Sequence, residues 1–333
     1  MSNVRSEIEN YCAAIGKDRS LVQGAGGNVS WKEGGRMYVK ASGTWLSDAN
    51  KKDIFLPVEL SVLYANIENN IFSIPEGLSK KGGMKPSIET MLHAIMQHTI
   101  VVHLHAIDIL SILVREDAER TVSKTLKDKM NYIFIDYIKP GPDLARSIYK
   151  EILQNNSDVI FLKNHGVVVG GSSIQEVQEE IEFILALFRS NSYIKRPELN
   201  GSYRGLKIEG YNMLSIPETK WLACNYKIFD NLSNNWALYP DHVVFLGGAP
   251  NLAIDIDSAK KIITSRAPSY VIVRGYGIFV SPDISKSETS QLICYSDVLA
   301  RQSKDQELHS LTKEEVGGLL SWESEKFRVR QSV

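Results

Sequence analysis

Residues 86–105 read Pro86-Ser87-Ile88-Glu89-Thr90-Met91-Leu92-His93-Ala94-Ile95-Met96-Gln97-His98-Thr99-Ile100-Val101-Val102-His103-Leu104-His105. Pro-Ser is a helix start, with Ser87 as the cap. Ile88, Met91, Leu92 and Ile95 recur at helical spacing, which predicts a helix to about Gln97. Ile100 to His105 is dense in β-branched residues and predicts a strand. Side chains two apart on a strand share a face, so His103 and His105 stand side by side. Two imidazoles so placed can hold one metal ion at ~2.0–2.1 Å. The bland alternative is a pair of hydrogen-bonded histidines on a half-buried strand.

On either side of this stretch the chain alternates helices and short strands. Residues 4–16 predict an opening helix. Gly24-Ala25-Gly26-Gly27-Asn28 is a glycine loop. Two short strands follow, Val29 to Lys32 and Arg36 to Ala41, joined by Glu33-Gly34-Gly35 and closed by Ser42-Gly43-Thr44. Val159 to Val169 predicts a strand, a tight turn at Asn164-His165-Gly166 and a second strand. Ile174 to Phe188 predicts a long amphipathic helix. A turn between apolar strands can aim His165 into a neighbouring cleft. Glu89 lies in the first turn of the helix that leads into the His103-Leu104-His105 strand. Three histidines with an open coordination position, beside a carboxylate that is not a ligand, are the parts of a catalytic zinc site and its general base. His93, one turn after Glu89, either orients it or simply packs. His98 at the helix end reads as structural, and His242 as an ordinary buried residue rather than a cleft-lining one.

The glycine loop is not a dinucleotide fingerprint. That motif needs a strand before it and a helix N-terminus after it to hold the pyrophosphate. Here a helix precedes and a hairpin follows, which disfavours a nicotinamide oxidoreductase. Two readings stay open: a turn that needs positive φ, or a loop whose N–H groups, with Asn28, cradle an anion such as phosphate.

The 333 residues carry 38 basic and 39 acidic side chains, a net charge of -1 that gives no electrostatic case for nucleic acid or an anionic membrane. The longest apolar run, Ile100 to Val114, is broken by His103, His105 and Asp108, so no bilayer span is expected. Cys12, Cys224 and Cys294 are scattered, which suits a reducing, cytoplasmic setting. Residues 190–206 read as a linker. They separate a metal-binding domain at 1–195 from a smaller C-terminal α/β domain at 206–333. Tyr270 to Val280 repeats the pattern of Val159 to Val169 with Tyr276 in place of His165. The C-terminal region is therefore a candidate degenerate copy without metal ligands.

Four blocks in order carry a family likeness: Gly26-Gly27-Asn28-Val29-Ser30, Val39-Lys40-Ala41-Ser42-Gly43, Pro86-Ser87-Ile88-Glu89-Thr90 with His103-Leu104-His105, and Asn164-His165-Gly166. With them the chain resembles the class II aldolase/adducin family. Within it the nearer likeness is to the aldolase portion of bifunctional rhamnulose-1-phosphate aldolase/alcohol dehydrogenases, which share a Pro-Asp-His block like Pro240-Asp241-His242. The resemblance implies a three-layer α/β/α fold with a largely antiparallel central sheet and a homotetramer. It implies Zn²⁺ on His103, His105 and His165, with Glu89 as acid/base. Asn28, Ser42, Gly43 and Ser87 become candidate substrate or phosphate binders, while Ile88 stands where the family has a second serine. The implied activity is zinc-dependent cleavage or formation of the C–C bond of a ketose, expected as the 1-phosphate, through a metal-stabilised enediolate. A tyrosine is expected to serve the leaving alkoxide, with Tyr132, Tyr137 and Tyr276 as candidates. The alternatives are a sugar-phosphate 4-epimerase, decarboxylase or dehydratase, or a non-catalytic adducin-like interaction module.

Overall fold

The computed structural model describes residues 2–75, 77–78, 82–189, 207–303 and 305–332; the linker expected at 190–206 lies outside the described residues. In chain order the first region runs α1 (Ser2–Ile15), β1 (Asn28–Glu33), β2 (Arg36–Lys40), β3 (Phe55–Glu59), α2 (Leu60–Glu68), α3 (Thr90–Ile95), β4 (Ile100–Leu104), α4 (Ile107–Leu113), α5 (Ala118–Leu126), β5 (Ile133–Ile135), α6 (Pro142–Ile152), β6 (Val159–Leu162), β7 (Gly166–Gly171) and α7 (Ile174–Phe188). The strands form one seven-stranded sheet in the order β3-β2-β1-β4-β7-β6-β5. Every neighbouring pair is antiparallel except β5 and β6, which run parallel.

Period-2 alternation divides the apolar residues of this sheet between two cores. Val102, Leu104, Phe161, Val167 and Val169 pack with α1, α4, α5 and α7 on one face. Val101, Ile160, Leu162 and Val168 pack with α2, α3 and α6 on the other. Each fully buried side chain of this kind contributes about 1.5–3 kcal/mol, so both faces are firmly committed. The result is the expected three-layer α/β/α arrangement with a largely antiparallel sheet. His103 falls on the face of Val101, the face that α3 covers.

The second region runs β8 (Asn212–Met213), α8 (Pro217–Cys224), α9 (Tyr226–Asn231), α10 (Pro240–Leu246), β9 (Leu252–Ala253), α11 (Ile256–Arg266), β10 (Tyr270–Val273), β11 (Gly277–Val280), α12 (Lys286–Leu299), α13 (Lys313–Leu320) and α14 (Glu323–Gln331). Its strands pair in the order β8-β11-β10-β9, with β9 and β10 parallel and the other pairs antiparallel. The portion β4-β7-β6-β5 of the large sheet has the same order and the same directions. The two regions share a core through α4, whose Ile107 and Leu110, together with Val114 just after it, pack among Trp221, Leu292 and Tyr295. Among the described residues no helix is long and apolar enough to cross a membrane.

Two local expectations shift. The helix predicted from Ser87 to about Gln97 spans only Thr90–Ile95, with Glu89 at the N-cap position and no side-chain cap. Pro86 bridges to Ala41, and the Ser87 N–H donates to the Lys40 carbonyl at 3.0 Å, so these residues extend the sheet instead of opening the helix. The strand predicted to His105 ends at Leu104, which leaves His105 at the mouth of the sheet.

Candidate metal centre

The central strand β4 sets the site. Register places Asn28 of β1 opposite His103 on one side and Val168 of β7 opposite it on the other. The turn from β6 to β7 passes through Asn164 at φ 53°, a left-handed conformation that asparagine tolerates. Asn164 Nδ2 donates to the carbonyls of Leu238 and His309, both at 2.8 Å, which ties the turn to the second region. His165 follows, and its ring returns over the end of β4. The ring centroids of His103, His105 and His165 stand 4.8, 4.8 and 5.2 Å apart. One ligand atom from each lies within 4.8 Å of the others. Gly166 permits this approach, because a Cβ there would lie 2.3 Å from the Leu104 carbonyl oxygen and 3.1 Å from atoms of both His103 and His105.

A hydrogen bond behind His103 and an ion-pair contact behind His105 orient two of the rings. His103 Nδ1 donates to the Val167 carbonyl at 3.1 Å, so its Nε2 keeps a lone pair toward the other rings. His105 Nδ1 lies 3.2 Å from Asp241 Oδ2, which favours the same tautomer. Burial drives two of the imidazoles to the neutral form, His103 to about 4 and His165 to about 3. Neutral imidazole is the ligating form. Three buried imidazoles, each offering a ring nitrogen within 4.8 Å of the others, fit a divalent cation with three protein ligands and an open position.

Glu89 stands beside them. Its Oε1 is 3.6 Å from His165 Nε2 and its Oε2 is 3.6 Å from His103 Nε2. Burial opposes its charge, and the hydrogen bond from the Asn28 amide favours the carboxylate. Asn28 Nδ2 donates to Oε2 at 2.7 Å. His93 Nε2 hydrogen-bonds the Asn28 Oδ1, and His93 Nδ1 meets Ser30 Oγ at 2.8 Å. His93 thus steadies Glu89 through Asn28. Glu89 Oε1 has no hydrogen-bond partner among the described residues.

One cavity gathers the expected binders: Asn28, Ser42, Gly43 and Ser87 line it with Glu89, His105 and His165. His103 is fully buried behind this lining. Tyr132, Tyr137 and Tyr276 are not among the residues that line this cavity within the chain. His98 bonds Asp158 at 2.7 Å, away from the cavity. His242 is buried against Trp236 and Tyr295, at 4.3 Å between ring centroids in each case.

Lys40, Asp241, Glu325 and Arg328 also line the cavity, and sequence reasoning missed all four. Lys40 Nζ donates to the carbonyls of Ala25 at 3.1 Å and Thr44 at 2.6 Å. Burial pushes it down to about 7. Arg328 pairs with Asp241 at 2.5 Å and with Glu325 at 3.2 Å. α14 packs directly on the Ser42-Gly43 turn, where a Cβ on Gly43 would lie 2.5 Å from Gln331 Cβ. Of these, Asp241 carried a sequence signal, as the acid of the Pro-Asp-His block. Arg328 left no local signal.

A family model described as Class II Aldolase and Adducin N-terminal domain matches residues 6–191. An L-fuculose phosphate aldolase of Methanococcus maripaludis is 32% identical over 181 residues, covering 50% of this chain and 84% of that protein. The uncharacterized oxidoreductase YuxG of Bacillus subtilis is 26% identical over 215 residues, and this chain spans only 30% of its length while 57% of this chain is covered. A solved N-terminal class II aldolase domain of a conserved protein from Thermoplasma acidophilum superposes with a TM-score of 0.48 at 26% identity, covering 55% of this chain and 90% of that one. The family match ends before Asp241, Glu325 and Arg328.

Proposed function

The chain belongs to the class II aldolase and adducin family, and from that membership we propose that it is a zinc-dependent aldolase that cleaves or forms the C–C bond of a ketose, in the first instance a ketose 1-phosphate. The observation that carries this reading is the convergence of three buried imidazoles beside a carboxylate with a free oxygen. His103, His105 and His165 would hold Zn²⁺, which would supply Lewis-acid stabilisation of negative charge on the substrate.

The chain's own groups do the rest. Glu89 moves a proton at the nucleophilic carbon through Oε1, while Asn28 holds Oε2 and fixes the direction of the carboxylate. The Ser30-His93-Asn28 chain limits the motion of that amide. Asn28, Ser42, Gly43 and Ser87 bind the substrate's oxygens, and Lys40 adds positive charge to the same cavity. A buried carboxylate oxygen without a partner is costly, and a non-catalytic interaction module gives no return for keeping one. Residues 206–333 are read as a degenerate copy of the metal-binding unit, a reading supported by the shared strand order. Assembly as a homotetramer is part of this proposal.

Incubation with a panel of ketose 1-phosphates and free ketoses, scored for dihydroxyacetone phosphate release, tests the reading. Release from a phosphorylated ketose is expected, and it should disappear on chelation. Inversion of a sugar carbinol, loss of carbon dioxide or loss of water without cleavage would instead make the protein an epimerase, decarboxylase or dehydratase.

A further inference from the structure

A second polar cluster reaches the histidines from outside the family match. Asp241, in the first turn of α10, is buried. Its Oδ2 approaches His105 Nδ1 to 3.2 Å, and its Oδ1 accepts from Arg328 Nη2 at 2.5 Å. Arg328 and Glu325, both on α14, are buried too, and Arg328 Nη1 donates to the Glu325 carboxylate at 3.2 Å.

Two features tie Asp241 to the histidine and not only to the arginine. Oδ2 makes no hydrogen bond among the described residues, and the 3.2 Å ion-pair contact with His105 Nδ1 is what it faces. The glycine loop also leaves room for the pair. A Cβ on Gly26 would lie 2.7 Å from Asp241 Oδ2 and 3.0 Å from His105 Nδ1. Gly26 does not have a positive φ, unlike Gly24 and Gly27, so its lack of a side chain serves close approach.

We propose that Asp241 is a positioning residue of the metal site, holding the proton of His105 on Nδ1 so that Nε2 is presented to the cation, and that Arg328 in turn positions Asp241. The second region thereby completes a site whose ligands all lie in the first. A carboxylate behind a ligating imidazole fixes its tautomer and raises its basicity, and losing it typically weakens metal binding ~10–100-fold. This inference rests on the reading that His103, His105 and His165 hold a metal.

The test is a titration of metal-free full-length protein with Zn²⁺ against a chromophoric chelator, with unfolding of the metal-free form followed in parallel. Wild type is expected to bind about one Zn²⁺ per chain. Asp241→Asn is expected to bind ~10–100-fold more weakly. In a His105→Ala background Asp241→Asn should cost nothing more, whereas in a His165→Ala background its full effect should persist. A merely structural role would add the same loss in both backgrounds. Adding Arg328→Gln to Asp241→Asn should weaken binding no further. Asp241→Glu, which keeps a charge for Arg328 but misplaces it against His105, serves as the second variant if the amide does not fold; it should also bind more weakly. Wild-type affinity in Asp241→Asn, or an equal loss in both backgrounds, overturns the proposal. If wild type and His103→Ala bind Zn²⁺ equally, the metal reading itself fails, and this inference with it.

Discussion

Replacing Gly166 with alanine should damage both the fold and the site. The added Cβ would sit 2.3 Å from the Leu104 carbonyl oxygen, over 1 Å inside the ordinary contact range, and 3.1 Å from His103 Cε1 and from His105 Cδ2. Leu104 is backbone of the central strand and pairs with Val167 next to the substitution. No flexible side chain can swing away from the main clash. Overpacking typically costs about 1–3 kcal/mol, and a backbone clash between central strands belongs at the upper end. About 3 kcal/mol is a shift of more than 100-fold in the folding equilibrium. β4 and β7 must separate, and the two histidines move with them. We expect Gly166→Ala to lower the urea midpoint and to weaken Zn²⁺ binding measured on the remaining folded protein. A variant with wild-type midpoint and wild-type metal affinity would refute the claim that this glycine is what lets the turn close on β4.

Glu89→Gln should keep its Zn²⁺ by elemental analysis and lose ~10²–10⁴-fold in turnover, the usual weight of a positioned acid/base group. Asn164→Ala leaves the carbonyls of Leu238 and His309 without their donor and puts alanine in a left-handed turn. A loss of about 2–4 kcal/mol in chemical denaturation is expected from these effects together. His242 is held at about 3 in the fold by burial, against ~6.5 when unfolded. Between those values the unfolded chain binds the extra proton, so stability is complete above pH ~6.5 and falls as pH drops toward 3. That single group accounts for about 2 kcal/mol by pH 5. His242→Phe, which suits the surrounding aromatic rings, should therefore show a flatter loss between pH 7 and pH 5 than wild type. Parallel curves would remove His242 from the acid response.

The parts of the site that were legible are those encoded by short-range geometry. The pairing of His103 with His105 follows from strand periodicity, and the inward turn of His165 from the Asn-His-Gly signal between two apolar runs. The start of α3 was misplaced because Ser87 N–H donates to Lys40 and Lys85 accepts from Ser42, which pairs Pro86 with Ala41 across the sheet, a partnership no local pattern reveals. Asp241, Glu325 and Arg328 were missed for the same kind of reason. They belong to α10 and α14, far along the chain from the histidines, and only the packing of the second region on the first brings them to His105. Lys40 hides inside a strand that reads as ordinary until its ammonium is seen facing the cavity. His93 stood one helical turn from Glu89, yet its link runs through Asn28, whose side chain comes from the neighbouring strand.

Crystals grown with Zn²⁺ and measured on both sides of the zinc absorption edge ask the central question directly. One strong anomalous peak per chain is expected, ~2.0–2.1 Å from a ring nitrogen of each of His103, His105 and His165, and no peak there in His103→Ala. An empty triad, with zinc bound elsewhere or the turn histidine swung away from the paired ones, would contradict it.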